Sequence, residues 1–428
     1  ASHWLKLALP TNSTTLCRLL RLSIMAFVVD QLPALLSSSR GASNATKSAA
    51  VTGAVRQPVP ATWRDITPGF IERALQAGGV MPVDTAVSSV QATPTEISGL
   101  LSTTVRVAVS YVGADVATLP ATVIVKLQSE DKASRQVAID ADNYQMERRV
   151  YEALARDFVV GMAKSFQIAT DPSGNVVFVM EDLSLREGLY AVDQWRLGGC
   201  SVNEADCVAR ALGKLHAQFW SDSRPLPDWL PATCEIEARS PATLAVQCGE
   251  RFRTSSYFEA LADPAREAVE DVLSRAVGVE EALRSGGPVT LLHHDARADN
   301  LFWGAAHVPG GVVFLDWQMA GQGIGPLDLA WFLSSSFLEP GAESCIADYT
   351  HLLEVYWHSL IEGGVDGARY SIEAARRDFL LGFLWSFLVI IQVVKFGEPN
   401  MVLIKFASRV THAMVEMGAQ HIPLARLV

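Results

Sequence analysis

The densest run of reactive side chains is His293-His294-Asp295-Ala296-Arg297-Ala298-Asp299-Asn300. Its core is a histidine two residues before an aspartate, with an asparagine five residues after that aspartate. A second carboxylate, Asp316, closes the apolar run Val312-Val313-Phe314-Leu315. These residue types at this spacing suit phosphoryl transfer. The attacking hydroxyl needs a carboxylate to take its proton, and the metal that bridges the phosphates needs oxygen ligands. Asp295 can be that base, and Asn300 and Asp316 can supply the oxygens. Competing chemistries have no anchor, because neither a G-x-S-x-G elbow nor an H-E-x-x-H pair occurs. Gly321, Gly323 and Gly325 faintly resemble a dinucleotide loop, but the rest of that fingerprint is missing. Pro326 and Asp328 suggest instead a loop capping the next helix.

Elements must hold these groups in place. Val105, Val107, Val109 and Tyr111 alternate with less apolar residues and predict a strand. Thr122 to Lys126 predicts a second strand. Val176 to Met180 predicts a third, after the turn Asp171-Pro172-Ser173-Gly174. Thr67-Pro68 opens a helix, and 137–156 reads as another. On that helix Glu147 shares an apolar face with Tyr144, Tyr151 and Leu154. A carboxylate there needs a cation, since burying it alone is costly, and Lys126 is the obvious partner. Beyond about residue 183 the pattern turns helical, over 259–283, 344–362, 372–396 and 401–418, with one hairpin-like, strand-rich insert at 289–316. His216 falls on an apolar stripe with Val208, Leu212, Leu215 and Phe219 and reads as a core residue. The order is strands first and helices later, an α+β layout in two lobes rather than a βαβ alternation.

The strings DARADNLFW, VVFLDWQ and GPLDLAWFL resemble the aminoglycoside phosphotransferase and choline kinase superfamily. Within it the ecdysteroid-kinase-like small-molecule kinases are the most similar. The likeness is specific over 289–334 and looser over about 58–420. It implies a bilobal, protein-kinase-like fold with a small β-rich N-lobe at 58–182 and a larger, mostly helical C-lobe at 183–428. It implies an enzyme that uses ATP, or GTP, with Mg2+ to phosphorylate a hydroxyl of a small-molecule alcohol. Lys126 would then hold phosphate oxygens, oriented by Glu147. Ser98 and Gly99 would lie in the loop covering the phosphates. Glu181 and Asp182 would mark the interlobe hinge, whose backbone pairs with adenine. His293 would brace the catalytic loop, and Asp328 would bond its backbone.

Three departures from the family pattern stand out. His294 replaces a glycine, the phosphate loop Ser98–Thr103 has one glycine, and Gln318 follows Asp316-Trp317. They leave a second reading open, a catalytically silent pseudokinase that binds a ligand or partner. A protein kinase would show Asp-Phe-Gly and Ala-Pro-Glu, and neither occurs.

Composition sets outer bounds. The 428 residues are 49% hydrophobic and 19% charged, with net charge −11. That excludes a disordered chain and disfavours nucleic acid or anionic lipid as partners. The six cysteines form no C-x-x-C pair, which fits free thiols in a reducing compartment. The run Phe379 to Val394 falls short of the ~20 residues a membrane span needs and reads as a core helix. Residues 1–57 carry six basic residues and one acid and are rich in Ser, Thr and Ala. They read as a leader or flexible extension with transit-peptide character, on an otherwise cytoplasmic protein. The aromatic residues Trp331, Phe332, Tyr356, Trp357, Trp385 and Phe387 tilt the acceptor towards an apolar alcohol.

Overall fold

The computed structural model describes residues 59–95, 101–113, 116–193, 199–221, 223–304, 311–337, 346–395 and 401–424. The leader reading of 1–57 and the assignment of Ser98 and Gly99 lie outside these residues. Helix α1 (Pro68–Ala77) starts where Thr67 accepts a hydrogen bond from the Phe70 amide. Strands β1 (Ala86–Pro94), β2 (Ser102–Val112) and β3 (Thr122–Gln128) follow. Helices α2 (Lys132–Asp140) and α3 (Asn143–Ala153) come next, then β4 (Gly161–Met162), β5 (Ser165–Thr170), β6 (Val176–Glu181) and β7 (Tyr190–Ala191).

Five strands form one antiparallel sheet in the order β1-β2-β3-β6-β5. Its two faces follow the two-residue period of a strand. Val123, Val125, Val177 and Val179 pack under α1 with Phe70, Ile71 and Leu75. Val176, Phe178 and Met180 turn the other way, into the larger core. Lys126 lies on the face opposite Val125, which points it away from α1.

The expected single helix at 137–156 is two. The chain breaks at Asp142, which has φ +57° and is the N-cap of α3. Strands β1 and β5 were not legible in the pattern. On β1 only Val87 is buried, so β1 lacks the alternation that announces a strand.

The helical part contains α4 (Val202–Gln218), α5 (Pro241–Arg253), α6 (Ser256–Glu259), α7 (Asp263–Ser274) and α8 (Ala276–Arg284). It continues with α9 (Pro326–Ser336), α10 (Ile346–Glu362), α11 (Ile372–Ile390) and α12 (Met401–Glu416). Helix α4 opens with a capping box between Ser201 and Glu204. It lies so close to α10 that a Cβ on Gly213 would sit 2.6 Å from the Tyr356 carbonyl. The segment Ile372–Lys395 is long and apolar enough to cross a membrane, but 83% of its most apolar window is buried inside the protein. It is the central helix of the core.

The expected hairpin at 289–316 is two separate pairings. Strand β8 (Val289–Leu292) pairs with β11 (Gly321–Ile324), and β9 (Leu301–Trp303) pairs with β10 (Val312–Phe314). The second pair belongs to a sheet ordered β4-β10-β9-β7, so Gly161–Met162 joins strands of the C-terminal half. Gly321 and Gly323 therefore lie in a strand, and Gly325 is the N-cap of α9, as the capping reading expected. These glycines admit close neighbours: a Cβ on Gly323 would collide with Thr233 Oγ1, and one on Gly325 with the Tyr356 hydroxyl.

Candidate active site

Strand β8 ends at Leu292 and releases the turn His293-His294-Asp295. Strand β10 ends at Phe314 and releases Leu315-Asp316. The two strand ends bring the two carboxylates into mutual electrostatic reach.

Asp295 is clamped from three sides. Its Oδ2 accepts from Asn300 Nδ2 at 2.9 Å. Its Oδ1 accepts from Arg297 Nε at 3.2 Å and from Trp331 Nε1 at 3.3 Å. Burial raises the pKa of Asp295, with Arg297 opposing and Asp316 adding to the rise. A held carboxylate with raised proton affinity can act as a general base.

The turn beneath it rests on Asp328, whose two oxygens accept from His293 N (2.6 Å) and His294 N (2.8 Å). Asp328 is fully buried on α9. Burial works to raise its pKa, but the hydrogen bond from His216 and the neighbouring imidazoles outweigh it and hold the group below its usual value. His216 Nε2 lies 3.4 Å from Asp328, and its Nδ1 lies 2.8 Å from the Tyr356 hydroxyl. The core histidine of α4 therefore supports the turn one step removed. The His293 Nδ1 accepts from Asp295 N at 3.2 Å, and its Nε2 reaches Leu315 O at 2.9 Å. That bond ties the turn after β8 to the residue before Asp316. Trp317 packs on the His293 ring, with centroids 4.6 Å apart.

Lys126 and Glu147 meet as expected. Lys126 Nζ lies 2.6 Å from Glu147 Oε2 on α3, and 2.8 Å from Asp316 Oδ1. Burial works against the ammonium, but Asp316 and Glu147 outweigh it and keep Lys126 charged. Burial pushes Glu147 up to about 7, with Lys126 opposing. Glu147 Oε1 is buried without a hydrogen-bond partner.

At the expected hinge, where the backbone and not the side chains would meet a base, both carboxylates have protein partners. Asp182 pairs with Arg106 and accepts from Thr122 and Ser184. Glu181 pairs with Arg186. Neither side chain is offered to a ligand.

The sequence matches the phosphotransferase enzyme family (APH) over residues 116–362, more than half of the chain. The chain belongs to this phosphotransferase family. No curated protein matches it. Three solved structures illustrate its likenesses. A choline kinase from Cryptosporidium parvum Iowa II is 14% identical, with 76% of this chain and 88% of that one covered and a TM-score of 0.46. A choline kinase from Streptococcus pneumoniae is 15% identical, with coverages of 82% and 98% and a TM-score of 0.44. The GDP complex of aminoglycoside 2′-phosphotransferase-IIIa is 11% identical, with coverages of 79% and 94% and a TM-score of 0.45.

Asn300 and Asp316 carry hard oxygen donors of the kind a magnesium ion would take. Asn300 spends its Nδ2 on Asp295, and its amide oxygen can only accept. Asp316 gives Oδ1 to Lys126 and keeps Oδ2. One carboxylate and one amide oxygen beside phosphates suit Mg2+, which keeps most of its other ligands as water or substrate oxygens. Among the described residues no cluster of three His, Cys, Asp or Glu could hold a metal alone.

Sequence reasoning missed Arg297, Arg239 and Thr233, and saw Trp331 and Tyr356 only as aromatics. Arg297 was within reach: it lies two residues from Asp295, and its second ion pair is with Asp299 at 3.0 Å.

Proposed function

We propose that this phosphotransferase is a small-molecule kinase that moves the γ-phosphoryl group of ATP, with Mg2+, to a hydroxyl of an organic acceptor. One observation carries the reading. Lys126 of the sheet lobe bridges Glu147 and Asp316, a contact spanning 190 positions, in a family whose reaction is phosphoryl transfer. Asp295, Asn300 and Asp316 then supply the base and the oxygen donors.

In this reading Asp295 takes the proton of the acceptor hydroxyl, and that oxygen bonds to the γ-phosphorus. The bond from phosphorus to the β,γ-bridging oxygen breaks, and ADP leaves. Lys126 would steady the phosphate oxygens, and Asn300 and Asp316 would hold the metal. When bound, Mg2+ would supply positive charge against the phosphates. Most of the acceleration comes from positioning and charge. The likeness to ecdysteroid-kinase-like sequences and the indole of Trp331 at Asp295 favour an acceptor with an apolar body. His294 does not count against catalysis, because its φ of +60° is the conformation glycine would adopt.

Asp295→Asn tests the assignment. ADP release is measured with ATP and a panel of amino alcohols, sugars and sterols. The variant should lose about 10²–10⁴-fold in turnover while binding ATP as the wild type does. A variant that keeps its rate would remove Asp295 as the base.

A further inference from the structure

The turn that carries Asp295 has a histidine where glycine would sit without strain. His294 adopts φ +60°, a region that L side chains rarely enter. Asp328 fixes the amides of His293 and His294 from below, so the imidazole is sent into the helical lobe. There it is 3% exposed.

Two residues receive it. Arg239, at the end of the short turn Glu237–Arg239, donates Nη1 to His294 Nδ1 at 2.9 Å. A guanidinium only donates, so Nδ1 carries the lone pair and the proton sits on Nε2. Nε2 then donates to Thr233 Oγ1 at 2.9 Å, and that hydroxyl donates to Gln322 O at 3.1 Å. Nδ1 also lies 3.2 Å from Met319 O. That contact would call for a proton on Nδ1, and the shorter bond from an obligate donor decides against it. Burial and the facing Arg239 keep the imidazole neutral.

Arg239 has few other commitments. It is 4% exposed, and among the described residues no carboxylate lies within ion-pair distance. Its Nε has no partner, and Nη2 reaches Met319 Sδ at 4.0 Å. Asp328 and Asp295 act on it only from beyond ion-pair distance, a buried cation so placed is costly to keep, and its best acceptor is one imidazole nitrogen beside Asp295. Gly321 makes room for the pair, since a Cβ there would sit 2.9 Å from His294 Cε1 and 3.0 Å from Arg239 Nη1.

We propose that Arg239 is a positioning residue for Asp295 and acts through His294. Its guanidinium, with Thr233, holds the imidazole in one tautomer and one place, which keeps residue 294 left-handed and aims the next side chain. The proposal rests on the kinase reading only for its effect on turnover, not for its effect on the turn.

Amide exchange at 293–295 reads the turn directly. Arg239→Met keeps the volume and removes the donor. It should speed exchange there by about tenfold or more, with the thermal midpoint confirming that the protein is folded. Adding His294→Gly should return exchange to near the wild-type rate, because glycine holds the conformation without help. Thr233→Val should give a smaller rise, also reversed by His294→Gly, and serves if Arg239→Met fails to fold. In ATP turnover, Arg239→Met should lower kcat with KM for ATP unchanged, and the double variant should recover. Unchanged exchange in Arg239→Met, or a rise that His294→Gly does not reverse, overturns the proposal and leaves Arg239 as a core support. If the wild type turns over no ATP, the kinase reading fails, while the exchange pattern still decides this one.

Discussion

Asp328 shows how much of the candidate site depends on one buried carboxylate. It takes two backbone amides of the turn before Asp295 and faces His216. Replacing it with alanine leaves three buried donors without an acceptor. Each such group costs about 1–3 kcal/mol, so Asp328→Ala should lose about 3 kcal/mol or more in urea unfolding. A loss under about 1 kcal/mol would mean that the turn is held by something else. Arg297 and Trp331 belong to the same scale. Their contacts with Asp295 fix which way its carboxylate faces.

At the scale of elements, β3 and α3 present Lys126 and Glu147 to each other because each element follows its own period. Lys126 is on the strand face away from α1, and Glu147 is on the buried helix face with Tyr144 and Tyr151. The pairing has a pH signature. Glu147 sits at about 7 in the folded protein against 4.5 for the free group. Its folded value is the higher one, so its contribution to stability is complete below about pH 4.5 and is lost as pH rises through about 7. Glu147→Gln stays neutral and should lack this slope. Urea midpoints between pH 4.5 and 8 test it, and parallel profiles for the two proteins would show that Glu147 does not titrate in this window.

For the whole molecule, the decisive contact joins the sheet lobe to the strand ends of the helical lobe, through Lys126 and Asp316. A nucleotide seated between the lobes should stabilise the folded protein by mass action, about 2.7 kcal/mol at a hundredfold excess over Kd. We expect Mg2+ with ATP to raise Tm, and Lys126→Met to lose most of the rise. No rise at millimolar nucleotide would count against the kinase reading as a whole. The apolar segment at 372–395 also takes its meaning at this scale. The same residues that pass for a membrane span by length and hydropathy are wrapped by the protein.

The sequence by itself determined what depends on short spacing. It placed Asp295, Asn300 and Asp316 on loops after strands, Lys126 on its strand, Glu147 on an apolar helix face, and His293 and Asp328 as supports. These follow from strand and helix periods and from a motif within one stretch. Tertiary structure decided what depends on distant partners. Arg239 reaches His294 across 55 positions, and Tyr356 reaches His216 across 140. No local period records such pairs. Gly321 and Gly323 of β11 looked like a loop because the close neighbours that exclude a Cβ, Thr233 and Arg239 among them, come from elsewhere in the chain. The split of 289–316 into two sheets was hidden for the same reason, whereas the break at Asp142 is one residue in left-handed backbone. Periodicity says which face is buried, and only packing says against what.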